Sequence, residues 1–200
     1  MAYAGVVYSR RVQGRTLSFG VSGLLYRANV LMYDHQTESL WSQVLRKAIT
    51  GPLSGTRLEV IPSTVTRWDK WRQQHPGTEV LSFETGYSRD YSVDPYGDYY
   101  ASKRGFSSLF GSGPSAVDKR LVVGITRGGL ARAYPLDLLR EVRRVIDRLD
   151  DRQIELNFDR QTGLLEVRDG TGQVIPHIVV YWFVWKGIYP ATDLFQTSRE

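Results

Sequence analysis

The chain has 200 residues, of which 42% are hydrophobic and 24% are charged, and its formal net charge is +5. These values are typical of a globular protein and exclude intrinsic disorder and collagen-like sequence. Cysteine is absent, which excludes disulfides, thiolate zinc sites and cysteine nucleophiles within this stretch, and no apolar run is long enough for a transmembrane helix.

The first part of the chain predicts mainly strands. Residues 3–33 contain short β-type segments separated by glycines, and the four residues from Asp34 have the composition of a turn. The segment 40–49 fits either a short helix or a strand. Residues 58–61 predict another strand, which Pro62 ends.

A short helix is predicted next. Thr66 and Asp69 resemble a capping box at its start, with an aspartate in place of the usual glutamate or glutamine. Trp68 and Trp71 would lie on one side of this helix, and Pro76 would end it. The two indoles would therefore form one broad apolar face.

The second part of the chain follows a predicted loop. Residues 101–118 are rich in serine and glycine, and they are the best candidate for a boundary. Strands are predicted at 121–125 and 131–134, and Pro135 suits the first turn of a helix. The apolar stripe of that helix would comprise Leu138, Leu139, Val142, Val145, Ile146 and Leu149. Further strands are predicted at 154–158, 164–167 and 174–175.

Comparison of the chain with itself indicates an internal repeat. The first copy comprises Val60, Ile61, Pro62, Trp68, Trp71, Pro76, Thr78, Glu79, Val80 and Leu81. At a constant offset of 114 residues stand Val174, Ile175, Pro176, Trp182, Trp185, Pro190, Thr192, Asp193, Leu194 and Phe195. All ten positions are identical or conservatively substituted. Aromatic neighbours of Trp182 favour burial of the tryptophan pairs over a ligand-stacking role.

The fold class that we predict is α+β and β-rich. Two related strand–turn–helix–strand units would pack about a pseudo-twofold axis. Residues 1–100 would form the first unit, residues 101–118 a Ser/Gly-rich loop, and residues 119–200 a second, shorter unit. Both units would belong to one structural domain.

Several segments combine glycine, aromatic and polar residues in a distinctive way. They are Phe19-Gly20-Val21-Ser22-Gly23-Leu24-Leu25, residues 32–43, Gly51-Pro52-Leu53, Thr85-Gly86-Tyr87, Asp94-Pro95-Tyr96, Ala131-Arg132-Ala133-Tyr134-Pro135 and Tyr181-Trp182-Phe183-Val184-Trp185. Together they resemble the prokaryotic domain-of-unknown-function family 3179 (DUF3179) over nearly the whole chain. The family pattern usually has arginine at the position of His35.

The resemblance implies no established activity. It implies an exported or lipid-anchored bacterial or archaeal protein, and hence an extracytoplasmic location. It also implies an upstream part with another copy of the segment 131–135 and a short Cys-Pro-Leu motif, so this chain is a fragment or a divergent member. We expect no cofactor in this chain, and a metal or redox role only if such a cysteine motif lies upstream.

Two groups of residues are candidates for a binding site. Asp34, Thr37, Trp41 and Gln43 form a polar and aromatic group. In a strand–turn–strand, Trp41 and Gln43 would point the same way and could line a pocket. The alternative is that Asp34 and Thr37 are ordinary turn residues, and the sequence leaves both interpretations open.

The second group lies in residues 89–100, which contain three aspartates and four tyrosines. Tyrosines in a loop offer amphipathic contact surface to a ligand, and Asp94 and Tyr96 are the candidate binding residues. The alternative is an ordered turn built on Asp94 and Pro95.

No familiar catalytic or metal-binding pattern is present in the sequence. His35, His75 and His177 lack the spacing of metal ligands, so no metal site is predicted. Residues 20–23 lack the G-x-S-x-G spacing of a hydrolase. Arginines cluster at 140–148, but interleaved acids favour a solvated face over nucleic-acid binding.

The function that we predict is an extracytoplasmic module that binds a small-molecule or protein ligand between its two units. The site would be lined by Trp41, Gln43, Tyr96 and Arg132. One alternative is a hydrolase or transferase that uses Asp34 or Asp94 together with Arg132. Another is a structural interaction domain. No catalytic residue is assigned.

Overall fold

The computed structural model describes residues 2–103 and 118–197. The first half contains β1 (Val7–Tyr8), β2 (Arg11–Val12), β3 (Arg15–Thr16), β4 (Phe19–Tyr26), β5 (Asn29–Asp34), β6 (Leu40–Ser42), β7 (Lys47–Thr50), β8 (Val60–Ile61), α1 (Trp68–Gln74) and α2 (Gly97–Ala101). The second half contains β9 (Leu121–Arg127), β10 (Leu130–Pro135), α3 (Leu136–Val142), β11 (Arg144–Leu149), β12 (Arg152–Phe158), β13 (Leu165–Asp169), β14 (Ile178–Tyr181), α4 (Trp182–Ile188) and β15 (Asp193–Leu194). With these strands and helices, the described chain is a β-rich α+β protein.

The first half is organised around an antiparallel sheet in the order β4-β5-β6-β7. The segment 40–49, for which helix and strand were both open, forms β6 and β7 with a turn between them. Trp41 pairs with Met32 of β5 and is completely buried in a small core. That core comprises Val12, Leu17, Trp41, Ala48 and Leu58.

The second half is organised around a sheet in the order β14-β9-β10-β15, in which only the β10–β15 pair is parallel among the strands described. Its strands alternate between two cores, as the pleat requires. Val123 faces α3 and the sheet β11-β12-β13, whereas Val122 faces α4 and the N-terminal residues. On that second side Trp185 lies against Gly124, where a Cβ atom would come within 2.3 Å of the indole ring.

The predicted helix through Leu149 is wrong in its second half. Helix α3 ends at Val142, and Arg143 turns the chain with a φ of +67°. The residues that follow form β11, paired antiparallel with β12. Val145 and Leu149 are buried and Ile146 is exposed, which is the alternation of a strand. The arginines at 140–148 therefore do not share one helix face.

The start of α1 also differs from the prediction. Arg67, not Thr66, is the N-cap residue. Asp69 forms an ion pair with Arg67, with Nε and Oδ1 at 2.9 Å. The hydroxyl of Thr66 donates instead to the carbonyl of Thr162, 3.0 Å away. Contact with the second half of the chain thus replaces the capping box.

Helices α1 and α4 have closely similar local geometry. Each has seven residues, and their first residues are 114 positions apart (68 and 182). In each, the second tryptophan donates its indole N–H to a threonine hydroxyl at 3.0 Å, from Trp71 to Thr78 and from Trp185 to Thr192. Their environments differ, because Trp185 is completely buried whereas its counterpart Trp71 is half-buried. Trp182 is half-buried and Trp68 is 46% exposed, so the predicted burial of the tryptophan pairs applies fully to Trp185 alone among these four.

The division into two units, 1–100 and 119–200, stays a prediction. Of the loop predicted at 101–118, residues 104–117 lie outside the described residues. Within the described chain, no helix has both the length and the apolar character needed to cross a membrane.

Candidate functional site

Asp34, Thr37 and Trp41 form one buried hydrogen-bonded network. The Thr37 backbone N–H donates to Asp34 Oδ1 at 2.6 Å, and its hydroxyl donates to Oδ2 at 2.8 Å. The Trp41 indole N–H donates to the same Oδ2 at 2.9 Å. Burial raises the pKa of the Asp34 carboxyl, but the hydrogen bonds from Trp41, Thr37 and the Ser39 backbone outweigh it and hold the pKa below its ordinary value. These contacts fix the turn between β5 and β6.

Gln43 lies outside that network, in the turn after β6. Its side-chain oxygen accepts a hydrogen bond from Asn29 at 3.1 Å, and its amide donates to the carbonyl of Ala4 at 3.4 Å. Its backbone carbonyl accepts a hydrogen bond from the hydroxyl of Tyr8. Gln43 therefore joins the sheet to the N-terminal segment.

Asp94 and Tyr96 belong to the tyrosine-rich loop. Asp94 Oδ1 accepts from the backbone N–H of Tyr96 at 2.8 Å, which is an Asx turn leading into α2. The ring of Tyr96 lies 6.4 Å from that of Tyr100, and Tyr100 lies 6.5 Å from Tyr3. Asp94 thus supports the loop, while Tyr96 belongs to an aromatic cluster that reaches Tyr3.

Arg132 forms an ion pair with Asp147 on β11. Its Nη1 lies 2.7 Å from Asp147 Oδ2, which also accepts a hydrogen bond from the hydroxyl of Tyr134 at 2.8 Å. Although burial acts in the opposite direction, the hydrogen bonds from Arg132 and Tyr134 lower the pKa of Asp147. The partner of Arg132 is thus neither Asp34 nor Asp94, the two carboxylates of the enzyme alternative.

The structure therefore places the seven candidate residues in four environments. The predicted pocket wall of Trp41 and Gln43 is divided between the sheet core and the N-terminal segment. The clefts described below are lined by other side chains.

A segment between β8 and α1, which we call the strap (residues 62–67), crosses the second half of the chain. The hydroxyl of Thr64 donates to the carbonyl of Leu165 at 3.0 Å, and that of Thr66 donates to the carbonyl of Thr162 at 3.0 Å. Two hydrogen bonds thus attach the strap to β13 and to the turn before it.

A cleft of about 760 Å³, which we call the strap cleft, opens beside the strap. Its volume lies within the usual range for small-molecule sites. Its floor consists of apolar side chains from the core beneath, namely Leu121, Leu136, Phe158, Leu165 and Val179. Val65 of the strap and Tyr3 of the N-terminal segment complete the apolar wall. The cleft therefore lies between the two halves of the chain.

The rim of the strap cleft is charged. Arg160 donates from Nε to the carbonyl of Arg140 at 2.6 Å and from Nη2 to that of Glu141 at 2.9 Å, at the end of α3. Arg67 is paired with Asp69. The guanidinium of Arg140 lies 5.9 Å from the ring centre of Phe158 and has no ion-pair partner among the described residues.

Sequence reasoning missed Val65 and Arg140 as residues that line one cleft. Val65 is an apolar residue between Thr64 and Thr66. The hydroxyls of these two threonines attach the strap to the second half of the chain, one on each side of Val65. Arg140 belonged to a recognised basic cluster, but its position was assigned to a longer helix. Nothing in the local sequence connects positions 65 and 140.

Within residues 2–103 and 118–197, no three histidine, aspartate or glutamate side chains converge so that they could hold a metal ion. The strap cleft is lined by apolar, hydroxyl, guanidinium and carboxylate groups.

The fold and the strap cleft define a class of protein, a β-rich α+β protein with an apolar cleft between its two halves. Residues 1–192 match the family described as "Protein of unknown function (DUF3179)", and the chain belongs to that family. The family resemblance noted from the sequence is thus confirmed. No curated protein and no solved structure matches the chain.

Proposed function

We propose that this protein is an extracytoplasmic ligand-binding module and that its ligand lies in the strap cleft. The observation that carries the proposal is the opening of the hydrophobic core into a cleft between the halves, where Phe158 and Leu165 form the floor. An apolar group placed there would leave water and gain contact with the core. The ligand is thus expected to have an apolar body.

The charged rim of the strap cleft indicates which chemical group the other end of the ligand carries. Arg140 has its guanidinium at the cleft and no ion-pair partner in the described chain. Asp137 and Glu141 line this cleft and also a neighbouring one of about 810 Å³. An amphipathic molecule with an anionic end group, such as a carboxylate, would satisfy Arg140. Three arginines and two carboxylates line the strap cleft, and this balance favours an anionic end group over a cationic one.

The extracytoplasmic location is proposed from the resemblance of the sequence to its family. Fractionation of cells that carry the natural gene tests it, and recovery of the protein from the cytosol would contradict it.

We infer further that the two halves are related units. The support is local: α1 and α4 have the same length, the same spacing and the same bond from indole to threonine. The residue after each helix, His75 or Tyr189, also stacks on the second tryptophan, at 4.0 and 4.4 Å between ring centres. A pseudo-twofold relation between the complete units remains part of this proposal.

Calorimetric titration of the full chain with decanoate and with decanol tests the binding function. We expect decanoate to bind more tightly, and the variant Arg140→Gln to weaken decanoate binding about fivefold while leaving decanol binding unchanged, because one charge-assisted contact is lost. The variant Val65→Asp should weaken both ligands, since it places a carboxylate in the apolar wall.

Arg152→Gln is the matched control for charge. Arg152 is exposed and lies six residues from Phe158 along β12, about 20 Å away in an extended strand. Equal decanoate affinities of Arg140→Gln and Arg152→Gln would contradict the role of Arg140. Absence of decanoate and decanol binding by the unmodified chain would contradict the function itself.

A further inference from the structure

Arg46 carries two buried nitrogen atoms that lack hydrogen-bond partners among the described residues. They are Nε and Nη2 of its guanidinium. Buried polar atoms in folded proteins nearly always have a partner, and a buried donor without one destabilises the fold. A water molecule or a ligand can therefore satisfy these two donors.

The backbone around Arg46 is held firmly in an unfavourable conformation. Its φ is +59°, in the left-handed region that favours glycine. Its N–H donates to the carbonyl of Ser42 and its own carbonyl accepts from the N–H of Leu58, both at 2.9 Å. An arginine at this position costs about 1 kcal/mol relative to glycine, so its side chain is not there for the sake of the turn.

The side chain of Arg46 lines a cleft of about 450 Å³ between the two halves. Thr126 and Arg127 of β9 lie on one side of this cleft, and the segment from Gln173 to Pro176 lies on another. The cleft adjoins a second one of about 500 Å³, which shares Thr126 and Arg127. We call the two together the junction clefts.

The junction clefts are strongly electropositive. Arg46, Arg127, Lys47 and Arg57 line them, and within the described chain none of these four cations forms an ion pair. Asp169 is the one carboxylate that also lines them. Its Oδ1 is occupied by hydrogen bonds from the backbone and hydroxyl of Thr171, at 3.0 and 2.5 Å. Positive charge therefore exceeds negative charge around the buried guanidinium.

The two unpartnered nitrogens are also the right pair for an oxyanion. Nε and Nη2 form one edge of the guanidinium, and this edge binds two oxygens of a carboxylate or phosphate at once. The same protein shows this mode at its surface, where Nε and Nη2 of Arg67 donate to Oδ1 and Oδ2 of Asp69 at 2.9 and 3.0 Å. At Arg46 no carboxylate of the described chain forms a hydrogen bond or an ion pair with this edge.

We propose that Arg46, assisted by Arg127, forms a binding site for a small oxyanion in the junction clefts. The ligand carries a phosphate or carboxylate group, whose two oxygens accept hydrogen bonds from Nε and Nη2 of Arg46. Tyr8 and Tyr189 hold the turn in place, because their hydroxyls donate to the carbonyls of Gln43 and Val44. This site is separate from the strap cleft and does not depend on the function proposed for it.

Thermal unfolding of the full chain tests the proposal. Sodium phosphate in one arm and sodium citrate in the other replace sodium chloride at constant ionic strength. We expect a saturable rise of the midpoint temperature in at least one arm, because a ligand that binds only the folded state stabilises it. Arg46→Gln and Arg127→Gln should each raise the apparent Kd at least about tenfold. A saturable rise with sodium phosphate identifies the bound group as a phosphate, and a saturable rise with sodium citrate identifies it as a carboxylate.

Two further variants keep the test decisive. Arg46→Gly suits the positive φ, so it should fold at least as stably as the unmodified chain without anion and should still lose the saturable response. Arg152→Gln removes an exposed arginine and should keep the response. Saturation of Arg46→Gln at the same anion concentration as the unmodified chain would overturn the proposal. So would a rise that is linear and equal in all variants, since phosphate stabilises proteins generally by exclusion from their surface.

Discussion

Asp34 is the residue on which the turn between β5 and β6 depends. Its completely buried carboxylate accepts hydrogen bonds from Thr37 and from the indole of Trp41. We expect Asp34→Asn to lower the free energy of unfolding by about 2–3 kcal/mol, because the amide loses the charge and turns one acceptor into a donor. Urea denaturation at neutral pH measures this change.

Asp159 provides a matched control, since it occupies a similar turn at the surface. Its Oδ1 accepts from the N–H groups of Gln161 and Thr162 at 2.7 and 3.3 Å. We expect Asp159→Asn to cost clearly less than Asp34→Asn. Equal losses in the two variants would show that the buried network contributes nothing beyond the turn.

The Asp34 network also predicts a dependence on pH. Its folded-state pKa lies below the ordinary value, so the stabilisation is complete above the unfolded-state pKa of about 4. It disappears as the pH falls through the folded-state pKa. The stability difference between the unmodified chain and Asp34→Asn should therefore narrow below about pH 4.

Of the four residues grouped from the sequence, Asp34, Thr37 and Trp41 lie together in the structure and Gln43 does not. Spacing alone brought Asp34, Thr37 and Trp41 together, because a strand–turn–strand places them within a few residues. Gln43 belonged to the same cluster in sequence but bonds with Asn29 and Ala4. The direction of a side chain after a strand ends depends on the turn, which the residue types did not specify.

Among the elements, the end of α3 is decided by Arg143. Its φ of +67° lies in the region that disfavours every residue with a Cβ. We expect Arg143→Gly to raise the free energy of unfolding by about 1 kcal/mol. Glu141→Gly, two residues earlier inside the helix, should lower it by a similar amount, about 1 kcal/mol. Chemical denaturation of both variants checks the signs, and destabilisation by Arg143→Gly would contradict this account.

The same segment shows why local pattern could not place every element. Val145 and Leu149 are four residues apart, which fits one face of a helix and also one face of a strand. The segment forms a strand because β11 pairs with β12. This pairing is a contact between two segments, which the local sequence pattern does not specify. The break itself falls on an arginine, where glycine would have signalled it. By contrast, the end of α1 before Pro76 was predictable from its own residues. Gly20 and Gly23, which were expected to separate strands, lie inside β4.

For the molecule as a whole, the halves are joined by hydrogen bonds between residues far apart in the chain. Tyr189 donates its hydroxyl to the carbonyl of Val44 at 3.1 Å, and the N–H of Tyr181 donates to the carbonyl of Ala2 at 3.0 Å. The strap adds the bonds of Thr64 and Thr66 to the second half. Residues of these contacts line the clefts: Thr66 and Leu165 line the strap cleft, and Tyr189 lines one of the junction clefts. The site predicted between the two units stays a prediction, and none of the residues predicted to line it lines the strap cleft or the junction clefts.

The strap gives the last prediction, at the scale of the whole molecule. Valine has nearly the shape of threonine but no hydroxyl, so the double variant Thr64→Val, Thr66→Val removes both bonds that hold the strap. We expect trypsin to cleave after the neighbouring Arg67 several-fold faster and decanoate binding to weaken, because the strap opens locally. Ser63→Ala, at the exposed position just before Thr64, is the control and should behave as the unmodified chain does. Unchanged cleavage in the double variant would mean that apolar packing of Val65, and not these hydroxyls, joins the strap to the second half.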